Sequence, residues 1–90
     1  MRAAQRQVLL EALEKDADNP FGHFEFGYVL EEEGHWADSL REYQSAKRLA
    51  ESVEGPKYKD RMGNVYDVRS VRNNVNGAIQ RVSKKSTIAN

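Results

Sequence analysis

The sequence contains no cysteine, and this absence excludes disulfide bonds, thiolate metal sites and a thiol nucleophile. It also contains no long apolar run, since no stretch approaches the roughly 20 apolar residues that are needed to span a bilayer. Residues 1–16 are too polar for a secretory signal peptide. These absences together predict a cytoplasmic protein without a membrane-spanning segment.

The sequence also lacks the short motifs that carry catalysis or metal binding. GxSxG, HExxH and the phosphate-cradling GxxxxGK pattern do not occur. The two histidines, His23 and His35, have no Cys/His framework around them and are interpreted as a side chain at the edge of the core and a turn residue. The sequence therefore predicts a protein that is not an enzyme and has no cofactor or metal.

Length and charge set the next limits. Ninety residues are enough for one small domain, which we place at residues 1–85 with a frayed tail at 86–90. The formal net charge is zero, but residues 1–56 carry 6 basic and 12 acidic side chains, whereas residues 57–90 carry 8 basic and 2 acidic ones. Because the two parts carry opposite net charges, we expect attraction between them within one chain, or weak, salt-sensitive association between copies.

Apolar spacing and capping residues predict three N-terminal helices, at 2–16, 20–33 and 36–51. Asn19 is a good N-cap for the second helix, and Pro20 suits its first position. Gly34 can end that helix in the left-handed conformation. Gly55 and Pro56 end the third helix, because proline restricts the residue before it.

The C-terminal third allows two interpretations. The favoured one is a fourth helix over residues 56–72, a turn at Asn73-Asn74, and a fifth helix lined by Val75, Ala78, Ile79 and Val82. The competitor is one continuous helix over residues 56–83, because the valines from Val65 onward also lie near helical spacing.

A set of small and aromatic residues in the middle of the chain recurs at intervals that resemble a tetratricopeptide repeat. The residues are Phe26-Gly27, Leu30, Gly34, Trp36, Ser39, Tyr43 and Ala46. Ala12 precedes Ala46 by 34 residues, which is one period of the repeat. A second match follows at a longer interval, since the pattern Met62-Gly63 and Tyr66 resembles the pattern Phe26-Gly27 and Leu30. The resemblance covers about two and a half units.

The resemblance implies an all-α fold of antiparallel helix-turn-helix repeats with four to five helices. Residues 2–16 would form a capping or half-repeat helix, residues 20–51 a complete repeat, and residues 56–84 a degenerate second repeat. Gly27, Ser39 and Ala46 would lie where helices touch. The function implied is a non-catalytic protein-interaction module that binds a peptide segment or assembles with copies of itself as a weak homodimer.

The resemblance also implies a concave peptide-binding groove. Its candidate residues are Phe21, Phe24 and Tyr28 on the second helix, and Lys57, Arg61 and Asn64 on the expected fourth helix. The competing interpretation of the aromatic residues is that the first or fourth helix covers them. The competing interpretation of the basic residues is a solvated surface.

Two charged segments complete the expectations. The run Glu31-Glu32-Glu33 lies at a helix C-terminus, which disfavours negative charge, so it is either a solvated turn or paired with a cation from the basic C-terminal half. The basic side chains of that half would carry the alternative function, binding of nucleic acid or an acidic partner. They are Lys57, Lys59, Arg61, Arg69, Arg72, Arg81, Lys84 and Lys85. The neutral net charge disfavours nucleic acid.

Overall fold

Four helices and a two-stranded antiparallel hairpin make up the part of the chain that the structure describes. The structure is a computed structural model, which describes the backbone of residues 2–89 and the side chains of residues 6–86. The helices are α1 (Arg2–Lys15), α2 (Pro20–Glu32), α3 (Trp36–Ser52) and α4 (Arg69–Ala89), and the hairpin of β1 (Lys57–Lys59) and β2 (Val65–Asp67) lies between α3 and α4. Over these residues, no helix is both long and apolar enough to cross a membrane.

The first three helices begin and end within one residue of their predicted bounds. The Asn19 side chain accepts a hydrogen bond from the backbone N–H of Phe21 at 2.9 Å, which caps α2 as expected. Gly34 has a φ of +83°. The N–H groups of His35 and Gly34 bond to the carbonyl oxygens of Leu30 and Glu31 at 2.9 and 3.1 Å, the paired bonds of a Schellman motif.

Helices α2 and α3 approach closely at Gly27, as the sequence predicts. A Cβ atom at this position would lie 2.7 Å from Cδ1 of the fully buried Tyr43. The Ser39 hydroxyl, also fully buried, donates to the Gly27 carbonyl oxygen at 2.6 Å. Small side chains at 27 and 39 therefore let the two helices meet.

The core consists of two clusters on either side of α2. Between α1 and α2 lie Leu9, Phe26, Val29 and Leu30, with Leu13 packed against them. Between α3 and α4, with Phe21 and Phe24 of α2 packed alongside, lie Tyr43, Ala46, Ala50, Val71, Val75, Ala78 and Val82. Helix α2 thus separates two apolar layers, and α4 completes the second one.

The predicted fourth helix over residues 56–72 is wrong, because a hairpin occupies most of that segment. Tyr58 lies opposite Tyr66 on the half-buried face, and the residues on either side of each tyrosine are exposed. This alternation is the period of two of a strand. Gly63 has a φ of +90° in the connecting turn, so its resemblance to the helical Gly27 does not extend to structure.

The predicted break at Asn73-Asn74 is also wrong, because α4 is continuous from Arg69 to Ala89. The competing continuous helix is right for this part of the chain, although it begins at Arg69 rather than Pro56. Helix α4 also includes residues 86–89 of the expected frayed tail, and Asn90 lies outside the described residues. The weak helix propensity of two adjacent asparagines is overridden by the burial of Val71 and Val75 against α3.

Helix α4 also caps the end of α3. The Arg72 guanidinium donates to the carbonyl oxygen of Ala50 at 2.8 and 3.1 Å and to that of Val53 at 2.8 Å. These carbonyls have no partner within their own helix, and a cation is favourable at a helix C-terminus. The capping bonds fix α4 against α3 on the side of the hairpin.

Candidate functional site

A surface groove of about 430 Å³ runs between α2 and α4. We call it the α2–α4 groove. Helix α2 contributes Phe24 and Tyr28, and helix α4 contributes Asn73, Asn74 and Gly77. The apolar face of α4 turns toward α3, which leaves these three small and polar residues facing the groove.

The floor of the groove is aromatic and its walls are polar. The ring of Phe24 lies 5.4 Å from the ring of Tyr43, which is fully buried beneath it. Tyr28 is 51% exposed on one wall. On the other wall Asn73 and Asn74 are exposed, and a Cβ atom at Gly77 would meet nothing within 4 Å. The α4 backbone is therefore open to solvent at that point.

One end of the groove is fixed by a network that joins three helices. Glu31 of α2 accepts from the Tyr43 hydroxyl at 2.8 Å and from Nη2 of Arg81 at 2.8 Å, and Arg81 donates a second bond through Nε. The bond from Arg81 lowers the pKa of Glu31, and burial followed by the bond to Glu31 raises the pKa of Tyr43. Part of the acidic run is thus paired with a cation from the C-terminal half, as one of the two expectations held.

The three predicted aromatic residues do not form one exposed strip. Phe24 and Tyr28 line the α2–α4 groove, but Phe21 packs against the hairpin, with its ring 5.3 Å from that of Tyr66. Phe21 and Phe24 are half-buried, so only Tyr28 presents most of its ring to solvent. The competing interpretation expected the first or fourth helix to cover the aromatic residues, whereas Phe21 and Phe24 pack against the α3–α4 cluster and Phe21 also contacts the hairpin.

Lys57, Arg61 and Asn64 lie on the hairpin, away from the α2–α4 groove. Arg61 and Asn64 line a second groove of about 330 Å³ between α1 and the hairpin. Lys57 is exposed on β1, opposite Asp67 in the strand register. The six predicted residues therefore do not share one groove: Phe24 and Tyr28 line the α2–α4 groove, Arg61 and Asn64 line the second groove, and Phe21 and Lys57 line neither.

The α4 side of the groove was missed from the sequence. Asn73 and Asn74 were interpreted as a turn, and Gly77 and Arg81 were not assigned to the groove. The available signal was the spacing Asn73–Gly77 and Asn74–Ala78–Arg81, which falls on one side of a continuous helix. This spacing points to one surface only if residues 69–89 form one continuous helix.

Half of the eight basic residues of the C-terminal segment have internal partners. Arg69 binds Asp67 and lowers the pKa of that carboxyl to about 2. Lys85 lies 4.7 Å from the centre of the Trp36 ring. With Arg72 at the end of α3 and Arg81 on Glu31, these four side chains hold the C-terminal segment together and dock it on α2 and α3.

His23 joins α2 to α3 and to the turn after α1. Its Nδ1 lies 2.8 Å from Oε1 of Glu42, and its Nε2 lies 2.7 Å from the carbonyl oxygen of Ala17. Both neighbours accept hydrogen bonds, so the protonated ring satisfies both. The bond with Glu42 is the main cause of the raised pKa of His23. His35, by contrast, lies exposed at the start of α3, as predicted for a turn residue.

Comparisons with known proteins identify no relative, because no protein-family model, curated protein or solved structure matches the chain. Among the described residues, no group of three His, Asp or Glu side chains is arranged to hold a metal ion. The function must therefore be argued from the grooves themselves.

Proposed function

We propose that the chain is a non-catalytic protein-interaction module that binds an extended peptide segment in the α2–α4 groove. The observation that carries this proposal is the combination of an aromatic floor, two exposed asparagines and an uncovered stretch of helix backbone at Gly77. Binding sites of this kind combine apolar surface with a few placed polar groups.

The asparagines suggest what the occupant offers. Each amide side chain has a carbonyl acceptor and an NH₂ donor, which match the N–H and C=O of a peptide main chain. Asn74 uses one donor on the Ser70 carbonyl at 2.7 Å and keeps its acceptor. A helix has its main-chain groups satisfied internally, whereas an extended segment does not, so these amides favour an extended occupant.

Gly77 supports the same proposal. Glycine inside a helix costs roughly 0.5–1 kcal/mol relative to alanine. Here no packing contact requires it, because a Cβ atom would meet open space. Because Gly77 has no side chain, another main chain can approach the backbone of α4 closely at this position.

The ionisable groups of the groove support binding rather than acid–base chemistry. The pKa of Glu31 is lowered and that of Tyr43 is raised, so both shifts move away from neutrality. Arg81 is held by Glu31 and has a raised pKa. A general acid or base works best when its pKa lies near the operating pH.

The test begins by panning a phage-displayed library of random peptides against the full chain, because the natural partner is unidentified. Enriched peptides are synthesised and titrated into isotope-labelled protein, and chemical-shift changes are mapped by NMR. We expect the changes to centre on Tyr28, Asn73 and Gly77. The proposal fails if no peptide is enriched, or if the changes centre on the hairpin.

Two variants and a matched control sharpen the test. Gly77→Gln adds bulk to the groove and also raises helix propensity, so it should abolish binding without loss of stability. Tyr28→Asp removes the exposed wall and should also abolish binding. Asn76→Gln adds bulk on the same helix outside the α2–α4 groove, beside Lys47 and Glu51, and should bind as the wild type does.

The alternative, binding of nucleic acid through the basic segment, is not favoured by any observation. Four of the eight basic side chains already contact other parts of the chain, namely Arg69, Arg72, Arg81 and Lys85. The basic side chains left to contact phosphates are Lys57, Lys59, Arg61 and Lys84. Titration with a single-stranded oligonucleotide tests it, since phosphate binding should weaken steeply with added salt.

A further inference from the structure

The groove between α1 and the hairpin is bordered by the two most exposed large apolar side chains among the described residues. Met62 is 81% exposed and Val8 is 64% exposed, and both line this groove of about 330 Å³. We call it the α1–hairpin groove. Both side chains therefore border one concave part of the surface, together with the charged residues of α1 and the hairpin.

The turn that carries Met62 is fixed by hydrogen bonds. The Asp60 carboxylate accepts from the N–H groups of Met62 and Asn64 at 2.9 and 2.8 Å, from the Asn64 side chain at 3.1 Å, and from the Tyr66 hydroxyl at 3.0 Å. Met62 is thus held outward on an ordered turn. An ordered loop loses little further conformational entropy when it binds.

The hairpin is also fixed to the helices. The Tyr58 hydroxyl lies 2.8 and 2.7 Å from the two carboxylate oxygens of Asp16, which follows α1 and is nearly buried. The distance between Met62 and α1 is therefore set by the fold. The α1–hairpin groove is formed before any partner arrives.

The charges of the groove indicate which occupant suits it. Asp16 and Asp60 are already engaged by tyrosine hydroxyls, but Glu11, Lys15 and Arg61 are not. Glu11 accepts a 3.3 Å bond from Gln7, and neither Glu11 nor Arg61 has an oppositely charged partner within the described part of the chain. One surface thus carries one negative and two positive charges without an ion pair among the described residues, beside an exposed apolar side chain.

We propose that the α1–hairpin groove is the interface of a symmetric homodimer. In a two-fold interface the same surface faces itself, so it must carry complementary groups within one patch. Met62 of each copy would enter the α1–hairpin groove of the other and cover Val8. Arg61 of each copy would pair with Glu11 of the other. The dimer would therefore contain two symmetry-related Arg61–Glu11 pairs.

The dimer should be weak, because the α1–hairpin groove is small and its charges are exposed. Salt screens exposed charges over a Debye length of about 8 Å at physiological strength, so the dimer should weaken with salt without disappearing. Analytical ultracentrifugation of the full chain, from micromolar to millimolar protein at low and physiological salt, measures this. We expect the mass to rise from monomer to dimer.

Charge reversal identifies the contact. Glu11→Arg and Arg61→Glu should each raise the dimer dissociation constant by roughly tenfold, since each places like charges together twice. The double variant exchanges the two charges and should restore the wild-type constant. Rescue of this kind cannot result from misfolding, because an unfolded variant would not regain the dimer.

Met62→Asp tests the apolar contact and should leave a monomer at every concentration. Tyr28→Asp is the matched control, since Tyr28 is another exposed large side chain but lies in the α2–α4 groove. It should keep the wild-type mass. Circular dichroism melts should show that all variants fold.

Three results would overturn the homodimer. The first is a monomeric mass across the whole range, which would leave the α1–hairpin groove to a different protein. The second is a dimer that persists in Met62→Asp. The third is a double charge variant that stays as weak as the single ones. Peptide binding in the α2–α4 groove is measured separately, so either proposal can fail alone.

Discussion

The packing of α2 on α3 can be measured by replacing two interior helix glycines, Gly27 and Gly77, by alanine. The gain in helix propensity is the same in both variants, so the difference between them reports the packing. Gly27 in α2 and Gly77 in α4 both lie well inside their helices. A Cβ atom at 27 would lie 2.7 and 2.8 Å from Cδ1 and Cε1 of Tyr43, whereas a Cβ atom at 77 would meet nothing within 4 Å. Alanine therefore creates a clash at one position and none at the other.

Tyr43 cannot move aside easily. Its side chain is fully buried, its hydroxyl donates to Glu31 at 2.8 Å, and its ring packs on Phe24. The alternative, a shift of α2, would disturb the 2.6 Å bond from Ser39 to the Gly27 carbonyl. The clash at position 27 should therefore cost close to the usual penalty for overpacking, about 1–3 kcal/mol.

Helix propensity acts equally on both variants. Replacing an interior glycine by alanine stabilises a helix by about 0.8–1 kcal/mol. Gly77→Ala should therefore raise the free energy of unfolding, and Gly27→Ala should lower it or leave it unchanged. The two values should differ by the overpacking penalty of about 1–3 kcal/mol, and Gly27→Leu should lose more than Gly27→Ala.

The assay is urea unfolding of the wild type and the variants, with thermal melts beside it. A difference of 1 kcal/mol corresponds to roughly 4–8 °C in Tm for a domain of this size. Equal stabilisation by Gly27→Ala and Gly77→Ala would refute the close contact between α2 and α3.

Two further expectations concern His23 and Tyr58. Because the pKa of His23 is raised above its usual 6.5, its contribution is fully present below pH 6.5 and is lost as the pH rises through the folded-state value. The free energy of unfolding should therefore fall from pH 6 toward neutral and basic pH, and it should fall less in His23→Gln. Identical slopes in the wild type and in His23→Gln would contradict the raised pKa of His23. Tyr58→Phe leaves the nearly buried Asp16 without its hydroxyl donor and should cost about 1–3 kcal/mol in urea unfolding, and an unchanged midpoint would mean that the bond does not fix the hairpin.

The N-terminal half could be predicted because its signals are local and agree with one another. Asn19-Pro20 begins α2, Gly34 ends it, and the apolar stripe of α3 starts directly afterwards. The close contact at Gly27 could be predicted because the resemblance places small residues where two helices touch. Each of these signals acts within a few residues, so no tertiary information is needed to interpret it.

The hairpin could not be predicted from helical spacing, because Val65 and Val68 fit that spacing as well. The decisive signals were the alternation around Tyr58 and Tyr66 and the turn chemistry from Asp60 to Gly63. Short apolar runs are ambiguous between helix and strand. The tetratricopeptide pattern also favoured a helix in this segment, which added weight to the wrong interpretation.

The site was predicted only in part, since the α2–α4 groove is built by two helices whose pairing is a tertiary feature. Phe24 and Tyr28 both line the α2–α4 groove because α2 forms where the sequence predicts it, and their role in binding stays a prediction. Asn73 and Gly77 were missed because adjacent asparagines and a glycine favour a turn by propensity, and the burial of valines against α3 overrides that preference. The sequence prediction places Arg61 and Asn64 on the same groove as α2, because it treats the hairpin segment as a helix. Both residues line the α1–hairpin groove instead.

The opposed charges of the two halves have a physical explanation in this fold. Arg81 reaches back across 50 positions to Glu31 of the acidic helix α2, and Lys85 lies over Trp36 of α3, so the basic helix α4 docks on both of these helices. Arg72 adds its charge to the C-terminal end of α3, where cations are favourable. Arg61 on the hairpin takes no part in this docking and stays exposed beside Met62, where both residues line the α1–hairpin groove.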